Sequence, residues 1–343
     1  MRHNVTIPEL PLAEEVSLMV VVTSVRERRT KDGKPFREAS ARNSTGSIAI
    51  KVWADVLESN PELKPGLWKI AVRGELFQNQ PQFVATKYRA ISLEEYREDL
   101  GCDPLVPRAF TIDIETLALP GYRDRVGPKL DRRLRLGRMR IEQQQRYLED
   151  IAAEEEREYQ LGSFNATSGR IISIAVHVGA ASGFPVAGLI KESEHAFGID
   201  AEGNEQDEAQ ALRDFLQLMS GFEADCDLIV GHNILGFDLP FIFQRCLVNN
   251  IPVTPFVDLS EYNVQGAFDT MRRWGFGDRR AGPSLDDIAW AFGLQSSKTE
   301  EVEGSKVFEL YQAGKLAEIR EYNLNDVRLT RKVYERMVAC FGG

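Results

Sequence analysis

The segment RAFTIDIETLALPG, residues 108–121, limits what this chain can fold into more than any other. Its apolar and β-branched residues predict a buried strand, yet Asp113 and Glu115 stand in the middle of it. At the two-residue period of a strand both carboxylates leave the same face, about 6 to 7 Å apart along the chain. Side by side they repel, and burying them without a cation would cost several kcal/mol. Hard oxygen ligands at this spacing suit Mg²⁺ or Mn²⁺. A strand with its polar face in solvent would carry the same pair, so the pair alone leaves both readings open.

Two later segments offer partners. In DCDLIVGHNILGFDLPFIFQRC, Leu228 to Val230 read as a short buried strand and Gly231-His232-Asn233 as its exposed end. Asp238 then opens a helix that turns Leu239, Ile242 and Phe243 inward. Aspartate at a helix start is also an ordinary N-cap, and for Asp238 alone the cap is the simpler reading. In AEIREYNLNDVRLTRKVYERM, Ile319, Tyr322, Val327, Thr330, Val333, Tyr334 and Met337 trace one helical face. Tyr322 and Asp326, four residues apart, lie one turn above the other on it. An aspartate on the apolar side of a helix needs a partner: a metal shared with Asp113 and Glu115, or an arginine.

Charge divides the chain. Over its 343 residues the formal net charge is −10, an acidity that by itself argues against a phosphate-rich partner. Between Val16 and Ala90, however, 13 Lys and Arg face 7 Asp and Glu, a net of +6, which with −2 from residues 1–15 leaves −14 beyond residue 90. The basic stretch alternates in short strands: Val16 to Val25, Phe36 to Arg42, Ser47 to Trp53, Gly66 to Glu75 and Pro81 to Lys87. Turns at Lys31-Asp32-Gly33-Lys34, Thr45-Gly46 and Gln78-Asn79 separate them, and a short polar segment, Ala54 to Asn60, precedes the fourth. Five strands with one small helical insert predict a small barrel.

This stretch, through TKDGKPFREASARNSTGSIAIKVW and GELFQNQPQF, resembles the OB-fold, in particular the type that precedes nuclease domains. Arg26, Arg28, Arg29, Lys31, Lys34, Arg37, Lys51 and Lys87 supply positive charge, and Phe36, Trp53, Phe77, Phe83 and Tyr88 supply ring faces. Single-stranded nucleic acid needs both, since unpaired bases stack on aromatics for about 1 to 3 kcal/mol each. Arg28, Lys34, Trp53 and Phe83 are the candidate strand contacts. The other reading of each aromatic is that it fills the barrel core.

In chain order the second region offers D-x-E on a first strand, N-x4-D after a later strand and Y-x3-D on a C-terminal helix. Together with TSGRIISIAV at Thr167 to Val176, FDTMRRW at Phe268 to Trp274 and SLDDIAWAFGL at Ser284 to Leu294, this closely resembles the DEDDy 3'-5' exonucleases, most nearly the proofreading domain of family B DNA polymerases and its free-standing relatives. The resemblance covers about Phe110 to Met337. It implies an α/β, RNase H-like domain with a mixed five-stranded sheet and flanking helices, preceded by the small all-β OB barrel. It also implies that Asp113, Glu115, Asp238 and Asp326 hold two Mg²⁺ or Mn²⁺ ions, with Asp113 between both, Glu115 and Asp326 completing one, and Asp238 holding the other through water. Tyr322 then orients the attacking water, a role that suits a phenol whose ordinary pKa is near 10. Asn233 is placed to contact the 3'-terminal nucleotide. Thr116, Leu117 and Phe237, beside the motifs, are candidates for stacking or wedging terminal bases, or simply pack. His232 reads better as a structural loop residue than as a base.

The remaining features set boundaries. Residues 1–95 read as the OB domain, 96–107 as a linker broken by Gly101, Pro104 and Pro107, and 108–343 as the nuclease domain with a charged helical insertion at 131–161. In that insertion opposite charges recur at i and i+4, predicting a solvent-facing helix or hairpin. Its basic end, Arg132, Arg133, Arg135, Arg138 and Arg140, is either a guide for a nucleic-acid strand or a solvated face. Cys102, Cys226, Cys246 and Cys340 lack metal or redox spacing and predict reduced, buried thiols. No apolar stretch opens the chain as a secretion signal would, so a cytoplasmic location is expected. The uncharged run Ile171 to Ile190 reads as two buried strands joined by GAASGFP rather than a membrane helix. The expected activity is stepwise hydrolysis of single-stranded DNA from its 3' end to nucleoside 5'-monophosphates. The alternatives are an exoribonuclease and, in another class, a non-catalytic single-strand binding protein. Filled positions at all four acids and Tyr322 argue against the last. Protein partners are left open, and no membrane is implied.

Overall fold

The computed structural model describes residues 6–58, 63–102, 104–131, 141–181, 190–224, 226–259, 266–276, 282–296 and 307–341. The chain divides into two compact units, one built on residues 1–108 with 179–191 and the other on 109–178 and 192–342.

The first unit contains β1 (Glu15–Arg29), β2 (Pro35–Asn43), β3 (Gly46–Trp53), the short helix α1 (Ala54–Glu58), β4 (Gly66–Phe77), β5 (Gln80–Ala90) and helix α2 (Leu93–Leu100). The strands close into a barrel in the order β1-β2-β3-β5-β4, the OB-fold arrangement expected from the sequence. Alternate residues of each strand point inward, so Val20, Val22, Ile50, Val52, Ile70 and Val72 meet in one core. Every strand outruns its expected bounds, β1 by the most. β1 continues through Arg29 because Arg26 faces Glu38 and Glu27 faces Arg37 across the β1–β2 ladder, which extends the hairpin as an exposed arm. At the β4–β5 turn Gln78 and Asn79 both take positive φ, 51° and 61°, the conformation that matches the twist of a two-residue hairpin.

The segment read as a linker starts inside α2. Ser92 caps this helix by accepting the Glu95 N–H, and Gly101 ends it at φ 66°. Tyr96 is fully buried against Met19, Val21 and Leu67 on the outer face of the barrel.

The second unit runs β6 (Arg108–Ala118), α3 (Tyr122–Asp131), α4 (Ile141–Leu161), β7 (Gly169–Ala180), β8 (Ser193–Phe197), α5 (Glu208–Met219), β9 (Leu228–Gly231), α6 (Asp238–Val248), β10 (Ala267–Asp269), α7 (Thr270–Trp274), α8 (Leu285–Ala291), α9 (Val307–Gln312) and α10 (Leu316–Phe341). Its five strands lie in the order β10-β9-β6-β7-β8. β9 is parallel to β10 and to β6, whereas β7 and β8 are antiparallel, so the sheet is mixed. Phe110, Ile112, Ile174 and Val176 of the central strands pack with Leu212 and Phe215 of α5 and Leu239 and Ile242 of α6.

The uncharged run forms β7; residues 182–189 lie outside the described residues, and the next strand starts at Ser193 instead of within the run. Among the described residues no helix is long and apolar enough to cross a membrane. The charged insertion is helical over α4, but it is tethered as well as solvated. Arg123 of α3 pairs with Glu156 at 2.7 Å and lies 4.2 Å over the ring of Tyr159, which is buried and donates to the Ala118 carbonyl at 3.3 Å. An aromatic anchor near one end thus outweighs the polar periodicity of the rest. Arg132, Arg133, Arg135, Arg138 and Arg140 lie outside the described residues. The four cysteines are free; Cys246 is buried, but Cys340 at the edge of α10 is exposed, contrary to the expected burial.

One buried ion pair fixes the helix that carries Asp238. Arg245 on α6 meets Glu208 on α5 through two bonds of 2.9 and 2.6 Å and donates a third, of 2.9 Å, to the Ala166 carbonyl. Glu208 also accepts the Ile171 N–H at 2.7 Å, joining α5, α6 and the start of β7. The two side chains are only 4% and 10% exposed, so removing one leaves a buried charge without compensation. Glu208→Ala should therefore cost about 3–5 kcal/mol in urea unfolding. The double replacement Glu208→Leu with Arg245→Met should lose less than that single variant.

Candidate active site

β6 delivers the first two acids. Asp113 and Glu115 emerge from one face of the strand, as its period requires, while Ile112 and Ile114 between and before them fill the core. β9 pairs with β6 only over Ala109 to Thr111, so beyond that point the edge of β6 that β9 covers is open. Asp238 uses that opening: its Oδ1 accepts the Ile114 N–H at 3.2 Å. The N-cap reading of Asp238 is thereby corrected, since the N-cap of α6 is Phe237 and Asp238 turns its carboxylate toward β6, between the two acids.

α10 supplies the rest. One carboxylate oxygen from each of Asp113, Glu115 and Asp326 can be chosen so that all three lie within 4.8 Å of one another. Tyr322, buried one turn before Asp326, hydrogen-bonds to it. The four carboxylates act on one another. Burial first, then Asp238, Asp326 and Glu115, push Asp113 well above the usual carboxylate range. Glu115 rises for the same reasons, burial ahead of Asp326 and Asp238. Burial pushes Asp238 up to about 7 against the pull of backbone N–H groups. Tyr322 is also raised, by burial and then by Asp326 and Glu115, so its phenol is neutral across the physiological range. Asp113, Glu115 and Asp238 form no ion pair with a described lysine or arginine. An all-oxygen donor set whose members suppress one another's ionisation fits hard divalent cations, which would supply the missing positive charge.

Three site residues escaped the sequence reading. Asn323, fully buried beside Tyr322, donates from Nδ2 to Asp113 at 2.7 Å, and its Oδ1 accepts from Ser173 of β7 at 2.8 Å. Asp269, at the end of β10 within FDTMRRW, accepts from the N–H groups of Asn233 and Leu235, each at 3.2 Å, and of Arg272 at 3.1 Å. It braces the loop between β9 and α6. Close packing shapes that loop too: a Cβ on Gly231 would lie 2.5 Å from Ile234, and one on Gly236 would lie 2.3 Å from Asn233 Oδ1.

The expected substrate contacts fare differently. Asn233 stands in this loop at φ 57°, half-buried, with its side chain over Gly236. Phe237 is half-buried, its ring 6.3 Å from exposed Phe164 and 5.4 Å from Phe241. Thr116 spends its hydroxyl on the Ser163 carbonyl at 2.9 Å. Leu117 is a correction: it is buried with Ile172, Ile199 and Tyr322, leaving no face for a base. His232 is held by Thr270 at 3.0 Å and by the Pro283 carbonyl, a loop clasp.

On the barrel, Arg28 is exposed 3.5 Å from Glu38, and Lys34 is exposed in the β1–β2 turn. Trp53 and Phe36 are half-buried with ring centroids 5.3 Å apart. Lys51 Nζ lies 5.6 Å over Phe36 and 5.3 Å over exposed Phe77. Phe83 is half-buried against the core, and Tyr88 is fully inside it, edge-on to Trp68 at 5.6 Å, so Tyr88 offers no stacking face. Arg28, Arg29, Phe36, Arg37 and Leu57 line a cavity of about 560 Å³ beside the arm.

The first unit is thus an OB barrel, and the second carries a cluster of carboxylates from a strand and a helix. Residues 164–343 match the family described as "Predicted 3'-5' exonuclease related to the exonuclease domain of PolB", and the chain belongs to that family. The match takes in Asn233, Asp238, Tyr322 and Asp326 and begins after β6. Among curated proteins, the DNA polymerase delta catalytic subunits of Oryza sativa subsp. japonica and Glycine max are each 29% identical over 141 residues, 40% of this chain. The aligned part spans only 11% of those polymerase subunits. Among solved structures, the second OB-fold domain of replication protein A from Methanococcus maripaludis is similar at 17% identity, covering 26% of this chain and 94% of that one, with a TM-score of 0.21. A replication protein A heterotrimer bound to ssDNA matches at 17% identity over 25% of this chain and 64% of that one, TM-score 0.20. The OB assignment rests on the closure and strand order of the barrel itself.

The raised acids make stability depend on pH in a definite direction. A carboxylate whose folded pKa lies above its unfolded value binds more protons when folded, so its penalty develops as pH rises from about 4 to about 7. With EDTA present, Asp238→Asn should stabilise the fold at pH 8 by a few kcal/mol at most, at about 1.4 kcal/mol per pKa unit, and so raise the thermal midpoint. The gain should vanish near pH 4, as thermal denaturation at both values would show.

Proposed function

We propose that this chain is a metal-dependent 3'-5' exonuclease that shortens single-stranded DNA from its 3' end, the second unit being an RNase H-like domain of the DEDDy type. The observation that carries the reading is the meeting of Asp113, Glu115 and Asp326 within 4.8 Å, from a strand and a helix more than 200 residues apart in sequence, with Asp238 docked beside them. Family membership supports the direction of cleavage, and the polymerase relatives favour DNA.

Hydrolysis adds a water oxygen to phosphorus and releases the 3'-oxygen of the shortened strand, with a nucleoside 5'-monophosphate as product. Two Mg²⁺ or Mn²⁺ ions held by Asp113, Glu115, Asp238 and Asp326 would supply a lowered water pKa and counter-charge for the departing oxygen. The protein's own contribution is placement. Tyr322, kept neutral by its acidic surroundings, acts as a hydrogen-bonding phenol that orients water and Asp326, not as the proton acceptor. Asn233 and Phe237, on the braced loop before Asp238, would receive the terminal nucleotide in this reading. On the barrel, Arg28, Lys34, Trp53 and Phe83, with Lys51 and Phe77, give the cation-and-ring surface that an unpaired strand requires.

The test uses 5'-labelled single-stranded DNA and RNA with Mg²⁺, Mn²⁺ or EDTA. Wild type should yield a ladder receding from the 3' end only with metal, faster on DNA, and Asp113→Ala should yield none. Equal lanes for wild type and Asp113→Ala would sink the proposal, and faster cutting of RNA would make the chain an exoribonuclease. Strand binding with no cleavage under any metal would leave a binding protein.

For the barrel, Lys51→Ala with Trp53→Ala should weaken binding of a long single strand by about 1–3 kcal/mol per lost stacking contact. Its salt dependence should also become shallower. Fluorescence anisotropy at two salt concentrations measures both; an unchanged affinity and slope would remove this face from strand binding.

A further inference from the structure

Asp113 is held by a two-bond relay that no catalytic role explains. Asn323 Nδ2 donates to Asp113 Oδ2 at 2.7 Å, and Ser173 Oγ lies 2.8 Å from Asn323 Oδ1. Asn323 and Ser173 are both fully buried, one on α10 and the other on β7. The chemistry orients the amide. An ionised carboxylate only accepts, so the amide must turn its NH₂ toward Asp113, and its oxygen then needs a donor, which the Ser173 hydroxyl provides. A buried amide with no partner for that oxygen would bear its desolvation cost uncompensated, so the serine fixes which way the amide faces.

We propose that Asn323, set by Ser173, is a positioning residue for Asp113: it fixes the rotation of that carboxylate, occupies Oδ2, and leaves Oδ1 to face the cation site. The proposal rests on reading the four acids as a divalent-metal site. Two features make the relay suited to this. It approaches from α10, the element that also carries Asp326, so one helix sets both a ligand and the orientation of another ligand. It is a charge-assisted bond, the kind that best holds an anion in one geometry.

The test is a double-mutant cycle on the full chain, read by Mn²⁺ binding through the free-ion paramagnetic resonance signal, with cleavage followed in parallel. Asn323→Leu should weaken Mn²⁺ binding on the order of 10- to 100-fold, as outer partners of metal ligands do. Ser173→Ala should weaken it roughly fivefold, the worth of one neutral hydrogen bond. In the Asn323→Leu background Ser173→Ala should add nothing, because its only route to the metal is gone. A purely structural role would lower the thermal midpoint of the metal-free protein without moving the Mn²⁺ affinity. Wild-type affinity in both single variants overturns the relay, and so does a full fivefold loss from Ser173→Ala when Asn323 is already leucine. Should Asn323→Leu fail to fold, Ser173→Ala alone decides: unchanged affinity overturns the proposal. A wild-type chain that neither binds Mn²⁺ nor cleaves overturns instead the metal-site reading on which the relay depends, an outcome distinct from wild-type binding with inert variants.

Discussion

Mutual repulsion among Asp113, Glu115, Asp238 and Asp326 is the constraint around which the second unit is built. Nothing in an apolar sheet core favours four carboxylates in one place, and each raises the cost of ionising the others. The scaffold must therefore be rigid enough to keep them from separating. β6 holds two by its period, α6 presses a third onto the open backbone of β6, and α10 brings the fourth. Behind these elements lie buried anchors: the Arg245–Glu208 pair, the Asp269 brace on the loop before α6, and the Ser173–Asn323 contact. Each replaces a hydrogen bond to water with one inside the protein, at positions where a loosened element would let the acids drift apart.

The barrel solves the opposite problem. Its cations sit on exposed strand ends, where pairs such as Arg37–Glu27 are half open to water and contribute little to stability. Its rings divide by depth. Trp68 and Tyr88 meet edge-on in the core, whereas Phe36, Trp53 and Phe77 remain near Lys51 at the surface. Aromatics at the surface of a small barrel add nothing to its core, which the alternating aliphatic residues already fill. Their placement beside a lysine suits ring-stacking and phosphate contact at one location.

Much of this was legible because period and spacing are local properties. Strand alternation located all five barrel strands, the D-x-E pair marked one face of β6, and the four-residue step from Tyr322 to Asp326 marked one face of α10. What was not legible depends on elements that meet only in the folded chain. Asn323 and Asn325 flank Leu324 in YNLND, and nothing local says which is buried; packing against β7 selects Asn323. Asp238 looked like a helix cap because the free Ile114 N–H that attracts it lies 124 residues away and is free only where β9 stops. Leu117 beside the acids and Tyr96 in the supposed linker were both drawn into cores, since apolar surface is buried wherever a neighbour offers it.

The chain's acidity takes a different meaning from this arrangement. A net charge of −10 suggests repulsion of phosphate, but charge acts over roughly 10 Å in ordinary salt, so a chain-wide sum says little about any one surface. The +6 stretch of the barrel presents a field of its own. At the acidic site the same reasoning runs further: a divalent cation among four carboxylates changes the local sign that a phosphate encounters, and proton uptake cannot do so, because protonating an acid removes a negative charge without adding a positive one. Under the proposed function, negative charge at that site would be the means of retaining the positive charge that nucleic acid requires; without a cation, burial and the neighbouring acids hold Asp113 and Glu115, and burial holds Asp238, above the usual carboxylate range.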